Sequence, residues 1–191
     1  WNWEFLIPHA AEAYNELYTF TVFDVEGEKM STIRTLYVSL GETLLSESSG
    51  HVFYSVNSTT HPEGAFDLEQ RVPVLITSDS TLRDIQDKPV NGTDTNISRS
   101  WISPADGRLF RFNSFDYANA TDITLRSAFN SGIPLQQVDN IQVGDIIITR
   151  LGSLPANTSH YAALRITAID DAAGADEDRY TFNMKWAVFV Q

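Results

Sequence analysis

Three runs of strand-forming residues close the sequence and constrain its fold more than any other feature. They read "VGDIIITRL" from Val143, "HYAALRITAID" from His160 and "RYTFNMKWAVFVQ" from Arg179. β-Branched and aromatic residues dominate all three runs, and the acidic "DDAAGADED" joins the last two. Because strand follows strand with no recurring helix of about a dozen residues, the sequence predicts antiparallel pairing and disfavours parallel βαβ units.

A hairpin is predicted near the start of the chain. The runs "YTFTVFDV" and "STIRTLYVSL" carry strand-type alternation, which slips once in the second run. Between them lies "VEGE", in which Gly27 suits a turn that needs positive φ. These residues therefore predict two antiparallel strands joined by a short turn.

Two short helices are also predicted. Ser78 or Asp79 can cap a turn in "SDSTLRDIQDK", and Thr121 or Asp122 can cap a helix that Gly132 ends. Neither is long enough to organise the fold. The predicted fold class is therefore all-β: an antiparallel, β-sandwich-like protein with one or two short helices.

Charge and composition narrow the functional class. The formal net charge is −12 with a pI near 4.5, and phosphate binding needs clustered Lys and Arg, so neither nucleic acid nor an anionic membrane surface is an expected partner. The chain contains no cysteine, which excludes disulfides and thiolate zinc sites. No apolar run approaches the roughly eighteen residues that span a bilayer, so the chain is not expected to be membrane-spanning.

The chain resembles bacterial surface proteins in two segments. In residues 1–40 the stretch "WEFLIPHAAEAYNELYTFTVFDVEGEKMSTIRTLYVSL" resembles the closing half of an immunoglobulin-like or PKD-like module. Residues 41–191 resemble the carboxy-terminal domain of secreted surface lipoproteins of the Bacteroidota, through "GHVFYSV", "FDLEQRVPVLIT" and the three closing runs. The resemblance implies an incomplete immunoglobulin-like segment, a larger β-rich domain and a location at the extracellular bacterial cell surface.

A more distant likeness is to haem-capturing lipoproteins of the same bacteria, which share the "YAALRITAI" type of strand. In that family paired His or Met side chains hold the haem iron. None of the His and Met residues of this chain can be placed on those positions, so no haem ligand is carried over. No cofactor is therefore expected.

The short first segment leaves two interpretations open. Such modules need about seven strands, and only about three are seen in residues 1–40. The segment is either a fragment or an atypical extension of a single domain, or a neighbouring copy supplies the missing strands to an open sheet edge. The second interpretation predicts self-assembly through the N-terminal segment.

Aromatic residues provide the candidates for ligand binding. The polar stretch "KPVNGTDTNISRSWISPADGRLF" at 88–110 is expected to form a long surface loop, with turn signals at Asn91-Gly92 and Asp106-Gly107. In and just after it lie Trp101, Phe110, Phe112, Phe115 and Tyr117, and exposed rings stack against sugars and protein partners. Alternatively, Phe110 and Phe112 alternate into a core strand while Trp101 covers its edge. Trp101 and Tyr117 are retained as ligand-binding candidates.

The acidic run near the end is a candidate calcium site. Asp170, Asp171, Asp176 and Asp178 supply hard oxygen ligands. Their spacing is not that of an EF-hand loop, and a solvated hairpin turn explains the same residues. The four histidines lack metal-ligand spacing.

Motifs for catalysis are missing from the sequence. There is no G-x-S-x-G nucleophile elbow and no phosphate-binding G-x-x-x-x-G-K pattern. We therefore expect no enzyme but a non-catalytic cell-surface binding or adhesion module of a surface lipoprotein, with other surface proteins or glycans as partners. The alternatives are a structural subunit of an extracellular filament, completed by a neighbouring copy, and a glycan-active enzyme.

Overall fold

The structure is a computed structural model that describes residues 14–23, 25–38, 43–89, 96–152, 158–174 and 176–190. The chain divides into two compact units, Trp1–Glu42 and Thr43–Gln191. The immunoglobulin-like character of residues 1–40 and the lipoprotein-type character of residues 41–191 stay predictions.

The first unit contains the expected hairpin. Strands β1 (Tyr14–Phe23) and β2 (Lys29–Val38) pair antiparallel as a two-stranded sheet. The register runs from Tyr14 opposite Val38 to Phe23 opposite Lys29. Gly27 in the connecting turn has a φ of +83°, a conformation that glycine adopts without steric cost. The hairpin predicted from the two alternating runs is confirmed.

The described residues of the second unit form ten strands, one α-helix and a 3₁₀ turn. In chain order they are β3 (Glu47–Tyr54), β4 (Ala65–Asp67), β5 (Val72–Val74), the 3₁₀ turn (Ser80–Leu82), β6 (Ile85–Asp87), β7 (Trp101–Ile102), β8 (Arg108–Arg111), α1 (Asp122–Ser131), β9 (Gln137–Val138), β10 (Ile146–Arg150), β11 (Thr158–Asp170) and β12 (Arg179–Val190).

These strands form two antiparallel sheets. The large sheet has the order β3-β12-β11-β10-β8, and the small sheet has the order β5-β4-β6-β7-β9. The three closing runs of the sequence are β10, β11 and β12, which lie in the centre of the large sheet. The all-β, antiparallel, sandwich-like fold class is therefore confirmed, because no two neighbouring strands are parallel within the described residues.

The large sheet is buried on both faces. Alternate residues of β10 show this: Ile147 belongs to a core shared with the small sheet, whereas Ile146 and Ile148 belong to a second core beneath α1. Such double burial explains why β10 is a continuous apolar run and not an alternating one. The second unit therefore has three layers, with the small sheet on one side of the large sheet and α1 on the other.

Both predicted helical segments begin where the sequence indicates, but the first is only a three-residue turn, because the chain from Ile85 onward pairs in the small sheet as β6. Asp79 caps the 3₁₀ turn by accepting a hydrogen bond from the Thr81 amide, and Thr121 caps α1, which ends at Gly132. Among the described residues no helix is long and apolar enough to cross a bilayer.

The turn-rich stretch before residue 110 differs from the surface loop expected for it. It contributes β7 to the small sheet and β8 to the large sheet, and both Trp101 and Leu109 are fully buried. Its Asn91-Gly92 turn lies outside the described residues. The polar composition does not indicate these strands because they are only two and four residues long.

Candidate functional site

A groove on the helix side of the large sheet is the candidate site. Its volume is about 460 Å³, within the usual range for small-molecule sites. One wall is α1, and the other is the loop that follows β8. The groove is lined by Phe112, Ser114, Phe115, Asp116, Asn119, Ile123, Thr124, Ser127, Ala128 and Ser131.

The helix wall is fixed by its cap and its buried face. Thr121 and Thr124 form a capping box, in which the Thr124 amide donates to the Thr121 hydroxyl at 3.1 Å and the Thr121 amide donates to the Thr124 hydroxyl at 2.8 Å. Leu125 and Phe129 are buried against the large sheet. Since residues three and four apart share a helix face, Thr124, Ser127 and Ser131 form a row of hydroxyl groups along the groove.

The loop wall is held by backbone and side-chain hydrogen bonds. The Phe112 amide donates to the Ile146 carbonyl at 2.8 Å, and the Phe115 amide donates back to Phe112 at 3.0 Å. From the large sheet, Lys185 Nζ donates to the Ala118 carbonyl at 2.8 Å. These bonds tie the loop to the sheet at both ends, so that its side chains are positioned by a rigid element.

Phe112 and Phe115 form the apolar part of the loop wall, and Phe110 of β8 packs against Phe112. The Phe112 ring stacks on Phe110 with ring centres 5.9 Å apart, and it lies 6.2 Å from the ring centre of Phe115. Phe112 is half-buried, whereas Phe115 is buried. Phe112 therefore presents ring surface to the groove from a packed support.

Asp116 carries the charge of the groove. Its Oδ1 accepts a hydrogen bond of 3.2 Å from the Asn119 amide, and its Oδ2 accepts one of 3.0 Å from Asn119 Nδ2. These two bonds, the side-chain bond first, lower the pKa of Asp116 below its usual value. Asp116 is therefore ionised and exposed at the mouth of the groove.

Tyr117, a ligand-binding candidate of the sequence, lies behind this loop wall. Its ring is buried, with the Arg165 guanidinium 4.7 Å and the Lys185 ammonium 5.4 Å from the ring centre. Arg165 also pairs with Glu47 at 3.0 Å. Burial, followed by the nearby Glu47 charge, raises the pKa of the Tyr117 phenol. Tyr117 thus supports the wall of the groove and does not line it.

Trp101, the other ligand-binding candidate, lies in the core between the two sheets. It is 0% exposed, and its ring centre lies 5.3 Å from those of Phe53 and Tyr180. Its pairing partners in the small sheet are Asp87 and Val138. Both faces of the ring region pack against other side chains of the core, and Trp101 does not line the groove.

The candidate calcium ligands at the β11–β12 turn each have protein partners. Asp170 accepts a hydrogen bond from Arg179 at 2.8 Å, and Asp171 accepts one from Arg99 at 3.1 Å. Both pairs are partly exposed to solvent, so each contributes little to stability. Their carboxylates are directed to arginines.

The other two acidic candidates bind backbone amides. Asp176 accepts hydrogen bonds of 2.8 Å from both the amide and the hydroxyl of Thr59, and fully buried Asp178 accepts one of 2.7 Å from the Ala172 amide. Over the ranges that the structure describes, no three His, Asp or Glu side chains converge as a metal site requires. Calcium binding at this turn stays a prediction.

The described histidines lie apart and pack against aromatic rings. His51 contacts Phe66 with ring centres 5.5 Å apart, and His160 contacts Trp186 at 5.1 Å. His61 stacks on Tyr54 at 4.0 Å. Over the described ranges none of these three histidines belongs to a cluster of three or more potential metal ligands, and His9 lies outside the described residues.

The residues of the groove were only partly visible in the sequence. Phe112 and Phe115 belong to the aromatic cluster of the sequence, whereas neither Asp116 nor Ser127 is a sequence-based candidate. The spacing of Asp116 and Asn119, three residues apart just before a capped helix, is the signal that could have identified them, because Asp side chains commonly bond backbone amides in such turns.

No protein-family model, curated protein or solved structure matches this chain. Its function is therefore inferred from its own residues. The resemblance to surface lipoproteins of the Bacteroidota stays a prediction.

Proposed function

We propose that this chain is a non-catalytic, extracellular binding module of a bacterial surface lipoprotein, and that its groove binds a glycan. The observation that carries the proposal is the pairing of a supported aromatic ring with a polar rim. Phe112 supplies the ring surface, and Asp116, Asn119 and Ser127 supply the rim.

A sugar matches both parts of this groove. The C–H face of a pyranose ring is apolar and packs on an aromatic ring, while its hydroxyl groups both donate and accept hydrogen bonds. Asp116 accepts, the Asn119 amide group donates and accepts, and the Ser127 hydroxyl does both. A cavity of about 460 Å³ accommodates one or two sugar units.

The charge distribution of the groove supports binding without hydrolysis. Glycoside hydrolysis commonly uses two carboxyl groups on either side of the scissile bond. Among the lining residues Asp116 is the one carboxylate, and it is exposed and ionised, which does not suit a general acid. The proposal therefore names capture of a glycan as the function.

The test is a titration of the purified chain with a panel of oligosaccharides, followed by two-dimensional NMR. We expect shift changes at the amides of Phe112, Asp116 and Ser127. Phe112→Ala should weaken binding at least about fivefold, since truncating a central contact residue costs about 1 kcal/mol or more. The control is Phe23→Ala, whose ring is 64% exposed in the other unit. Shift changes confined to other surfaces would contradict the proposal.

A second candidate function is that of a structural subunit completed by a neighbouring copy. The β1–β2 hairpin favours it, because the described residues add no third strand to this sheet and an isolated two-stranded hairpin is marginal in water. Light scattering with negative-stain imaging separates the two functions. Fibres or a large closed assembly would support the subunit, and a monomer would rule out assembly through this hairpin.

A further inference from the structure

We propose that the groove selects an amine-bearing sugar, with the ammonium group of the ligand placed beside the carboxylate of Asp116. This inference rests on the proposed function, since it names the class of glycan that the same groove binds. Its basis is that the only charged side chain lining the groove is negative.

The lining of the groove has a single formal charge. Asp116 is the one ionisable residue among the lining side chains, and none of them is Lys, Arg or His. The whole chain has a formal net charge of −12. A cationic ligand is therefore attracted both by the protein and by the groove itself, whereas a uronic or sialic acid is repelled.

Three cationic side chains on elements next to the groove contact other groups. Lys185 donates to the Ala118 carbonyl behind the loop, and Arg165 pairs with Glu47. On α1 the Arg126 guanidinium lies 4.5 Å from the ring centre of Phe189. The Asp116 carboxylate therefore forms no salt bridge within the described residues and can pair with a ligand. The charge of Lys185 contributes to lowering the pKa of Asp116.

The geometry of Asp116 leaves room for a further donor. Each carboxylate oxygen accepts one hydrogen bond from Asn119, and a carboxylate has about four acceptor sites. An ammonium group can therefore bind without breaking the contacts that hold the loop. With the amine beside Asp116, the sugar face lies over Phe112 and its hydroxyl groups reach Ser114 and Ser127.

The experiment compares three ligands of equal length on the full chain by calorimetry at pH 6 and low salt. They are a glucosamine oligomer, its fully N-acetylated form and a galacturonic acid oligomer. We expect the amine to bind about two- to fivefold more tightly than the acetamide, as is typical of an exposed ion pair, and the acid most weakly. High salt should reduce the preference.

Two isosteric variants decide whether Asp116 is responsible. Asp116→Asn should lower the affinity ratio of amine to acetamide strongly, toward one, whereas Asp106→Asn, an equal charge change at a residue that does not line the groove, should lower it much less. A ratio of one in the unmodified chain, or an equal loss in both variants, would overturn the inference while leaving glycan binding intact. If none of the three ligands binds and a wider panel also fails, the proposed function itself is wrong.

Discussion

Lys185 of β12 donates a hydrogen bond of 2.8 Å from its Nζ to the carbonyl oxygen of Ala118 in the loop wall of the groove. Lys185 is only 6% exposed, so its charge is largely removed from water. Such a bond stabilises only because the carbonyl and the Tyr117 ring replace the lost hydration. The large sheet is thereby connected directly to the groove.

Replacing this lysine should loosen the loop wall. Lys185→Met keeps the length of the side chain but removes the charged donor, and we expect a loss of about 1.5–3 kcal/mol in the free energy of unfolding. Amide hydrogen exchange at residues 116–119 should become faster. Lys29→Met, at an exposed position in the first unit, should change stability by less than about 0.5 kcal/mol. Equal exchange rates in both variants would contradict the anchoring role.

Truncating Trp101 should act on stability. Because this side chain is fully buried among Phe53, Tyr180 and Phe182, we expect Trp101→Ala to cost about 3–5 kcal/mol in urea unfolding. Trp101→Phe should cost less, since it keeps most of the apolar volume. A variant that unfolds like the wild type but loses its ligand would instead identify Trp101 as a binding residue.

Asp84 should make stability depend on pH. Burial, with the nearby charges of Asp67 and Glu69, raises the pKa of Asp84 from 3.8 to about 7. Between these values the folded state holds a proton that the unfolded state has lost, so the free energy of unfolding falls as pH rises from about 4 to 7. The total contribution is up to about 4 kcal/mol.

The measurement for Asp84 is the urea midpoint at a series of pH values. Asp84→Asn keeps an acceptor for the Leu68 amide, which donates to Asp84 at 2.8 Å. We expect the variant to gain stability over the wild type progressively between pH 4 and 7. If the two proteins change in parallel over this window, Asp84 does not titrate there.

Gly152 should not tolerate a side chain. A Cβ at this position would overlap the carbonyl oxygen of Ala105 and the amide nitrogen of Gly107. Both are backbone atoms that cannot rotate away, so Gly152→Ala should cost about 3 kcal/mol or more. Gly174→Ala is the matched control: its φ is +91° with no atom within 4 Å, so it should cost only about 1–2 kcal/mol of backbone strain. Thermal unfolding of both variants tests the comparison.

The sequence by itself determined the first hairpin, the three closing strands and the two helix caps, because their signals are local. The apolar runs of β10, β11 and β12 were legible as strands, and Gly27 marked the hairpin turn. The caps at Asp79 and Thr121 were also legible, since a capping side chain bonds an amide two or three residues away. Each of these features depends on a few neighbouring residues.

Only the tertiary structure decided which residues face the groove and which face the core. Trp101 and Phe112 are only eleven positions apart, yet Trp101 is buried against Phe53 and Tyr180 of the large sheet, while Phe112 lines the groove opposite α1. Burial depends on contacts between segments far apart in the chain. No local sequence period encodes such contacts. Asp116 therefore becomes part of a binding groove only when the loop and α1 are brought together.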